Sequence, residues 1–134
     1  MSKRLSALCA SLALAGSLGL ASQALSATPA PHGDSCFLAT DWEGWKSPNP
    51  DVIYVRVGVS RIFEFDLSAG SNQLQEPDMH LVSQIRGSSW ICDPLDLQLQ
   101  LRDSHGAFEE PLFVKSIKKL TPDEIAAIPK KYLP

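Results

Sequence analysis

The sequence lacks the short motifs that most enzyme sites carry. It has no G-x-S-x-G nucleophile elbow, no Gly-rich phosphate loop and no H-x-x-x-H or H-E-x-x-H pair among its three histidines. It has no C-x-x-C pair, which argues against a redox-active dithiol. Lys and Arg occur in runs no longer than pairs, and this argues against nucleic acid as a partner. We therefore assign no catalytic residue, no metal ligand and no cofactor from motifs.

Length and composition describe one ordinary globular domain. The chain has 134 residues, of which 44% are hydrophobic and 20% are charged. No internal repeat is visible. These values exclude a disordered chain and a repeat protein.

The N-terminus has the layout of a secretory signal peptide. Lys3 and Arg4 precede an uncharged apolar segment over residues 5–20, and small residues suited to cleavage extend to Ala24. The alternative is a retained membrane anchor, but a spanning helix needs about 20 predominantly apolar residues, and this shorter segment contains Ser and Gly. We therefore expect residues 1–24 to be removed, leaving a periplasmic or secreted protein with no stable membrane anchor.

Cleavage would change both the charge and the cysteine count. Loss of Lys3 and Arg4 from twelve basic residues leaves ten against fifteen acidic ones, so the mature net charge would be −5. Loss of Cys9 leaves Cys36 and Cys92. An even number of cysteines in an oxidising compartment favours one disulfide bond. Two buried free thiols or a reactive pair are the alternatives.

The rest of the chain divides into three parts. Residues 25–35 are rich in Pro and Gly and predict a flexible linker. Residues 36–129 predict a single β-rich domain. Residues 130–134 predict a polar tail.

Alternating apolar and polar residues predict most of the strands. Val52–Val57 and Arg61–Leu67 alternate on either side of a turn at residues 58–60, which predicts a β-hairpin. Leucines alternate with polar residues over 95–102, which predicts a half-buried strand. A helical turn over 78–82 and a strand over 81–85 are both compatible with that segment. Shorter strand candidates are residues 36–40, 89–92 and 112–118.

The C-terminal region predicts a short helix. Thr121, Pro122 and Glu124 have the positions of an N-cap, a first helical residue and the third residue of a capping box. Pro129 ends the segment after about two turns. The predicted fold is mainly β: a small antiparallel barrel or curled sheet of five to six strands with a short C-terminal helix.

Five large or cationic side chains form a possible binding face. Aromatic residues often flank the ligand sites of small β domains, and an arginine beside them can hold an anion. The alternative is that the aromatic residues fill the core and that the arginine pairs with carboxylates across the strands. The residues are Trp42, Trp45, Tyr54, Arg56 and Trp90.

Three segments resemble a domain-of-unknown-function family of small exported proteins of Gram-negative bacteria. They are Asp-Val-Ile-Tyr-Val-Arg-Val-Gly at 51–58, Trp-Ile-Cys-Asp-Pro-Leu-Asp at 90–96, and the segment 117–129 that contains the capping box. The resemblance covers most of residues 36–129 and implies export without implying an activity. Many members have two further cysteines, near 69–72 and 110–112, which this chain lacks. Their joint absence would leave Cys36 to pair with Cys92.

Two functions from different classes remain as hypotheses. The first is a binding or interaction module for an unknown protein or small ligand in the cell envelope. The alternative is a small hydrolase-like or metal-dependent enzyme, which requires its acidic residues and a histidine to meet in one cleft. Turn formation and an exposed loop are the simpler explanations of these residues. The residues of this enzyme hypothesis are Asp93, Asp96, Asp103 and His105.

Overall fold

The computed structural model of the protein describes residues 33–85 and 87–134. The predicted signal peptide, residues 1–24, and most of the predicted linker therefore lie outside the described residues. Within the described ranges, no helix has both the length and the apolar character needed to cross a membrane.

The described part of the chain contains nine strands and one α-helix. Short 3-10 turns occupy Ala39–Asp41, Asn72–Gln75, Pro94–Asp96 and Lys130–Tyr132. The elements are β1 Phe37–Leu38, β2 Trp42–Asn49, β3 Val52–Val57, β4 Arg61–Leu67, β5 Met79–Ile85, β6 Trp90–Ile91, β7 Leu97–Asp103, β8 Glu109–Leu112, β9 Val114–Lys119 and α1 Pro122–Ala127.

The strands form three antiparallel sheets. The largest has the order β2-β3-β4-β9, the second has the order β5-β7-β8, and β1 pairs with β6. Phe37 of β1 lies fully buried among residues of both larger sheets, and its ring centroid is 4.7 Å from that of Phe63. One hydrophobic core therefore joins all three sheets.

The predictions of a mainly β fold and a short C-terminal helix are confirmed. The hairpin of β3 and β4 pairs in unbroken register from Val52 with Asp66 to Val57 with Arg61. Gly58 lies in its turn with a φ of 60°, a conformation that favours glycine. The segment 78–85, which was compatible with either a helical turn or a strand, forms the strand β5 over Met79–Ile85.

The expected count of five to six strands was too low, and the described strands do not close into a barrel. The alternation rule misses β2 because its pairing with β3 is interrupted between Trp42 and Gly44 and again between Lys46 and Asn49. Each irregularity shifts the side-chain phase, so the strand carries no period of two in its sequence.

The predicted disulfide is confirmed. It joins Cys36, directly before β1, to Cys92, directly after β6, with Cα atoms 4.3 Å apart. It therefore fastens the short β1–β6 pair at the position where Phe37 and Ile91 enter the core.

The C-terminus packs on the outer face of the four-stranded sheet. The side chain of Thr121 accepts a hydrogen bond from the backbone N–H of Glu124, and the Glu124 carboxylate accepts one from the N–H of Thr121, so the predicted capping box is present. The sequence predicts a polar tail over residues 130–134. In the structure this segment instead contributes Tyr132 and Leu133 to a second apolar cluster, which is built on Ile62, Leu120 and Ile128.

Candidate functional site

The two tryptophans of β2 face the core. Trp45 lies opposite Val55 and Trp42 lies opposite Val57, and residues directly opposite each other share one face of a sheet. Both valines are fully buried. The Trp42 ring also meets the Phe65 ring edge-on, with centroids 5.6 Å apart. Packing is therefore the first role of Trp42 and Trp45.

Tyr54 and Arg56 point to the opposite face of the same sheet. Tyr54 lies opposite Glu64 and packs against the C-terminal apolar cluster. Burial, and then the charge of Glu64, raise the pKa of the Tyr54 hydroxyl. Trp90 belongs to another sheet, where it pairs with Leu38. The structure thus divides the five residues of the predicted binding face between two faces of one sheet and a second sheet.

The four residues of the enzyme hypothesis lie at opposite ends of β7. Asp93 and Asp96 precede the strand, whereas Asp103 ends it and His105 follows in the turn. A strand of this length separates its two ends by roughly 20 Å. The described residues contain no group of three or more His, Cys, Asp or Glu side chains placed to hold a metal ion. The structure therefore does not bring these residues into one cleft.

The carboxylates of this set bind backbone N–H groups in turns. The Asp96 carboxylate accepts from the N–H groups of Cys92 and Asp93 at 2.8 and 2.9 Å. Asp93 in turn accepts from the N–H of Leu95 at 2.9 Å. A hydrogen bond from the N–H of Phe108 is the main cause that lowers the pKa of Asp103.

Leu95 and Phe113 are exposed apolar side chains that line the same pocket. Leu95 is 80% exposed and Phe113 is 61% exposed. Two further large apolar residues of the described chain are exposed elsewhere: Val59 in the β3–β4 turn and Ile85 at the end of β5. Leu95 precedes β7 and Phe113 follows β8, so antiparallel pairing places them at the same end of the three-stranded sheet.

The pocket between them has a volume of about 150 Å³. Sites for small-molecule ligands usually measure about 300–1,000 Å³, whereas a cavity of about 150 Å³ holds a group of the size of benzene. No charged side chain lines it. We call it the Leu95–Phe113 pocket, and its lining residues are Pro94, Leu95, Leu97, Gln98, Leu112, Phe113 and Val114.

Fixed backbone holds both rims of the pocket. The capping box between Asp93 and Asp96 closes the turn Pro94–Asp96, which presents Leu95 to solvent. On the other rim, the carbonyl of Phe113 accepts a hydrogen bond from the N–H of Ser68 at 2.8 Å. The two exposed side chains therefore project from anchored segments.

A second, wider depression lies at the other end of the sheet. It measures about 480 Å³ and includes Ser71, Phe108 and Glu110. The Ser71 hydroxyl donates to the Glu110 carboxylate and accepts from the N–H of Gln73 at 3.3 Å. These bonds cap the turn Asn72–Gln75 and fasten it to β8, so Ser71 has a structural role here.

Sequence reasoning missed Leu95 and Phe113. Leu95 continues the leucine alternation of β7, and this suggested that it was buried with Leu97 and Leu99. Phe113 falls in the outward phase of the segment 112–118, between buried Leu112 and half-buried Val114. A large aromatic residue in the polar phase of an alternating segment was the signal that could have identified it.

No protein-family model, curated protein or solved structure matches this chain. The resemblance to a family of small exported proteins therefore stays a prediction. The disulfide bond is compatible with an oxidising location outside the cytoplasm.

Proposed function

We propose that this chain is an exported protein-interaction module of the cell envelope, and that it binds a protein partner at the Leu95–Phe113 pocket. The observation that carries this proposal is an uncharged pocket of about 150 Å³ between two strongly exposed apolar side chains. Burial of each such side chain by a partner contributes about 1.5–3 kcal/mol of favourable free energy to binding. The two residues together form the centre of an interaction surface.

The size and chemistry of the pocket favour a protein as its occupant. It has room for one apolar side chain of leucine or phenylalanine size, and it offers no charged group to orient a polar ligand. Interfaces commonly place one anchoring side chain in such a pocket and surround it with weaker contacts. The partner therefore presents a single apolar residue from its surface.

Neither rim residue belongs to an apolar core cluster. Leu95 lies in a turn that its neighbours Asp93 and Asp96 already close with backbone hydrogen bonds. A polar side chain at position 95 would preserve these bonds and would avoid exposing a leucine. An interaction partner explains why an apolar residue stands there.

Export supplies the setting of the proposal. The predicted signal peptide takes the chain out of the cytoplasm and into an oxidising compartment. In such a compartment the disulfide Cys36–Cys92 forms and persists. The Cys92 N–H donates to Asp96, so the disulfide lies directly beside the turn that carries Leu95. Oxidation in the envelope thereby helps to shape the binding surface.

Site-specific photo-crosslinking tests the proposal. A photoreactive phenylalanine analogue replaces Phe113 in one form of the protein and Val59 in another, and both are irradiated in intact cells that export the chain. Val59 is the matched control because it is 97% exposed and lies in the β3–β4 turn. We expect a discrete protein adduct from position 113 and none from position 59. Adducts of the same partner and yield at both positions would contradict a binding surface at the pocket.

A further inference from the structure

Strand β5 has an open edge. It pairs with β7 through all seven of its residues, from Met79 with Asp103 to Ile85 with Leu97. Its other side meets no strand in the part of the chain that the structure describes. An open edge presents a row of backbone N–H and C=O groups that can pair with another strand.

The edge of β5 differs from the three other edges of the larger sheets. Proteins usually protect such edges with charged residues, proline or bulges. The edge strand β2 has two irregularities of register and contains Lys46 and Pro48. The strand β8 contains Glu109, Glu110 and Pro111, and β9 contains Lys115, Lys118 and Lys119.

Strand β5 has none of these protections. Its sequence, Met-His-Leu-Val-Ser-Gln-Ile, contains no Asp, Glu, Lys, Arg or Pro, and its register with β7 is unbroken. It is therefore a regular, uncharged strand with one free side. This combination favours the addition of a further strand.

The core-facing side of β5 is also incompletely covered. Leu81 and Ile85 lie opposite Leu101 and Leu97, which are buried, so they share the core face of the sheet. Leu81 is nevertheless only half-buried, and Ile85 is 44% exposed. A strand added beside β5 would extend this apolar face as well as the hydrogen-bond ladder.

We infer that β5 is a dimerisation strand, which pairs antiparallel with β5 of a second copy of this chain about a two-fold axis at Val82. This register places Met79 opposite Ile85 of the second copy and Leu81 opposite Ser83, so core-facing residues meet core-facing residues. On the other face, His80 lies opposite Gln84, and no formal charge opposes another along the strand.

A second copy is the occupant that this register matches best. The polarity of the strand is nearly symmetric about Val82, so that apolar Met79 meets apolar Ile85 and polar His80 meets polar Gln84 in both halves of the pair. The uncharged edge also allows two copies of an acidic chain to approach without like charges at the contact. A closed two-fold contact of this kind leaves β5 with no remaining open side.

The dimer would contain one continuous sheet with the order β8-β7-β5-β5-β7-β8. Because the two copies of β5 run in opposite directions, the Leu95–Phe113 pockets would lie at opposite ends of this sheet. The inference goes beyond the proposed function, since the strand edge and the pocket are different surfaces. A monomeric protein could still bind a partner at the pocket, so each proposal can fail without the other.

Charge exchange at the two-fold axis tests the inference. Val82 is half-buried on the outer face, opposite Gln100, and belongs to neither apolar cluster, so the longer side chains of Val82→Lys and Val82→Glu can reach solvent in the monomer. In the dimer each charge would stand directly opposite its own copy, which is destabilising. The mature oxidised protein and its variants are compared by sedimentation velocity over a range of loading concentrations, with Val82→Thr as the uncharged β-branched control.

We expect the wild-type protein and Val82→Thr to sediment as dimers, and Val82→Lys and Val82→Glu to sediment as monomers when each is alone. An equimolar mixture of the two charged variants should recover the dimer, because Lys and Glu then face each other across the axis. Recovery would also show that both variants are folded. A wild-type monomer at every concentration, a dimer unaffected by either charge, or a mixture that stays monomeric would overturn the inference.

Discussion

Leu95 and Leu99 lie four residues apart, yet they have opposite environments. Leu99 is fully buried in β7, whereas Leu95 is 80% exposed beside the pocket. We expect Leu99→Ala to lower the free energy of unfolding by about 2–5 kcal/mol, because it leaves a cavity in the core. We expect Leu95→Ala to change it by less than about 0.5 kcal/mol, as is usual for surface positions. Urea denaturation of both variants checks this, and a large loss with Leu95→Ala would show that Leu95 is kept for folding.

Glu124 is the carboxylate whose environment shifts its acidity most. A hydrogen bond from the Lys118 ammonium, followed by bonds from the backbone N–H and the hydroxyl of Thr121, lowers the pKa of Glu124 to about 2. Because the folded-state pKa lies below the ordinary value of 4.5, this contribution to stability is complete above pH 4.5 and is lost as the pH falls towards 2.

The variant Glu124→Gln should therefore lose stability at neutral pH and should show a smaller further loss between about pH 4.5 and 2 than the wild type. Thermal unfolding at a series of pH values measures both effects. The neighbouring Asp123→Asn removes one negative charge from the same helix and serves as the control. Parallel pH profiles for the wild type and Glu124→Gln would contradict a stabilising role of the Glu124 charge, because glutamine can still form the capping box.

The structural role of a residue was predictable from the sequence where that role depends only on near neighbours in the chain. Thr121 and Glu124 are three positions apart, and their spacing alone was enough to predict the cap that the structure contains. The exposure of Leu95 depends instead on where the chain bends before β7. Its leucine alternation with Leu97 predicted burial, and only the turn closed by Asp93 and Asp96 removes it from the core.

At the scale of elements, the disulfide stabilises a pair of strands that is only two residues long on each side. The bond closes a loop of 56 positions, for which chain entropy predicts up to about 4 kcal/mol of stabilisation. The double variant Cys36→Ala/Cys92→Ala should lose stability by up to this amount in urea denaturation. Protein isolated without a reducing agent should also be lighter than its reduced form by two hydrogen atoms. Two free thiols in that protein would refute the bond.

Regular elements were predictable and irregular ones were not. The β3–β4 hairpin has uninterrupted alternation and a turn with Gly58, so its sequence specifies both strands and their connection. The strand β2 has two shifts of register, which hid it from the same rule. The first shift, between Trp42 and Gly44, also explains why Trp42 and Trp45, three positions apart, can share the core face.

At the scale of the whole molecule, the arrangement into three sheets depends on contacts between distant segments. The pairing of β4 with β9 joins residues about fifty positions apart, as in Asp66 with Ser116. Hydrophobic periodicity gives the face that each strand buries, but it does not give the order of strands in a sheet. A mainly β class was therefore predictable, whereas an open three-sheet architecture was not.

The same limit applies to the functional surface. Leu95 and Phe113 are 18 positions apart and meet only because β7 and β8 pair antiparallel. The aromatic residues that the sequence favoured lie on different faces and sheets. This binding surface is made by two turns at one end of a sheet, so it can be recognised only in the tertiary structure.

The central claim is that a protein partner binds at the Leu95–Phe113 pocket, and the most direct test is the yield of the adduct from a photoreactive residue at position 113 with and without Leu95→Ser. Leu95→Ser removes one rim of the pocket and leaves the core intact, whereas Val59→Ser changes an exposed apolar residue away from it. We predict that Leu95→Ser abolishes most of the adduct and that Val59→Ser leaves its yield unchanged. An adduct that survives Leu95→Ser at full yield would contradict binding at the pocket.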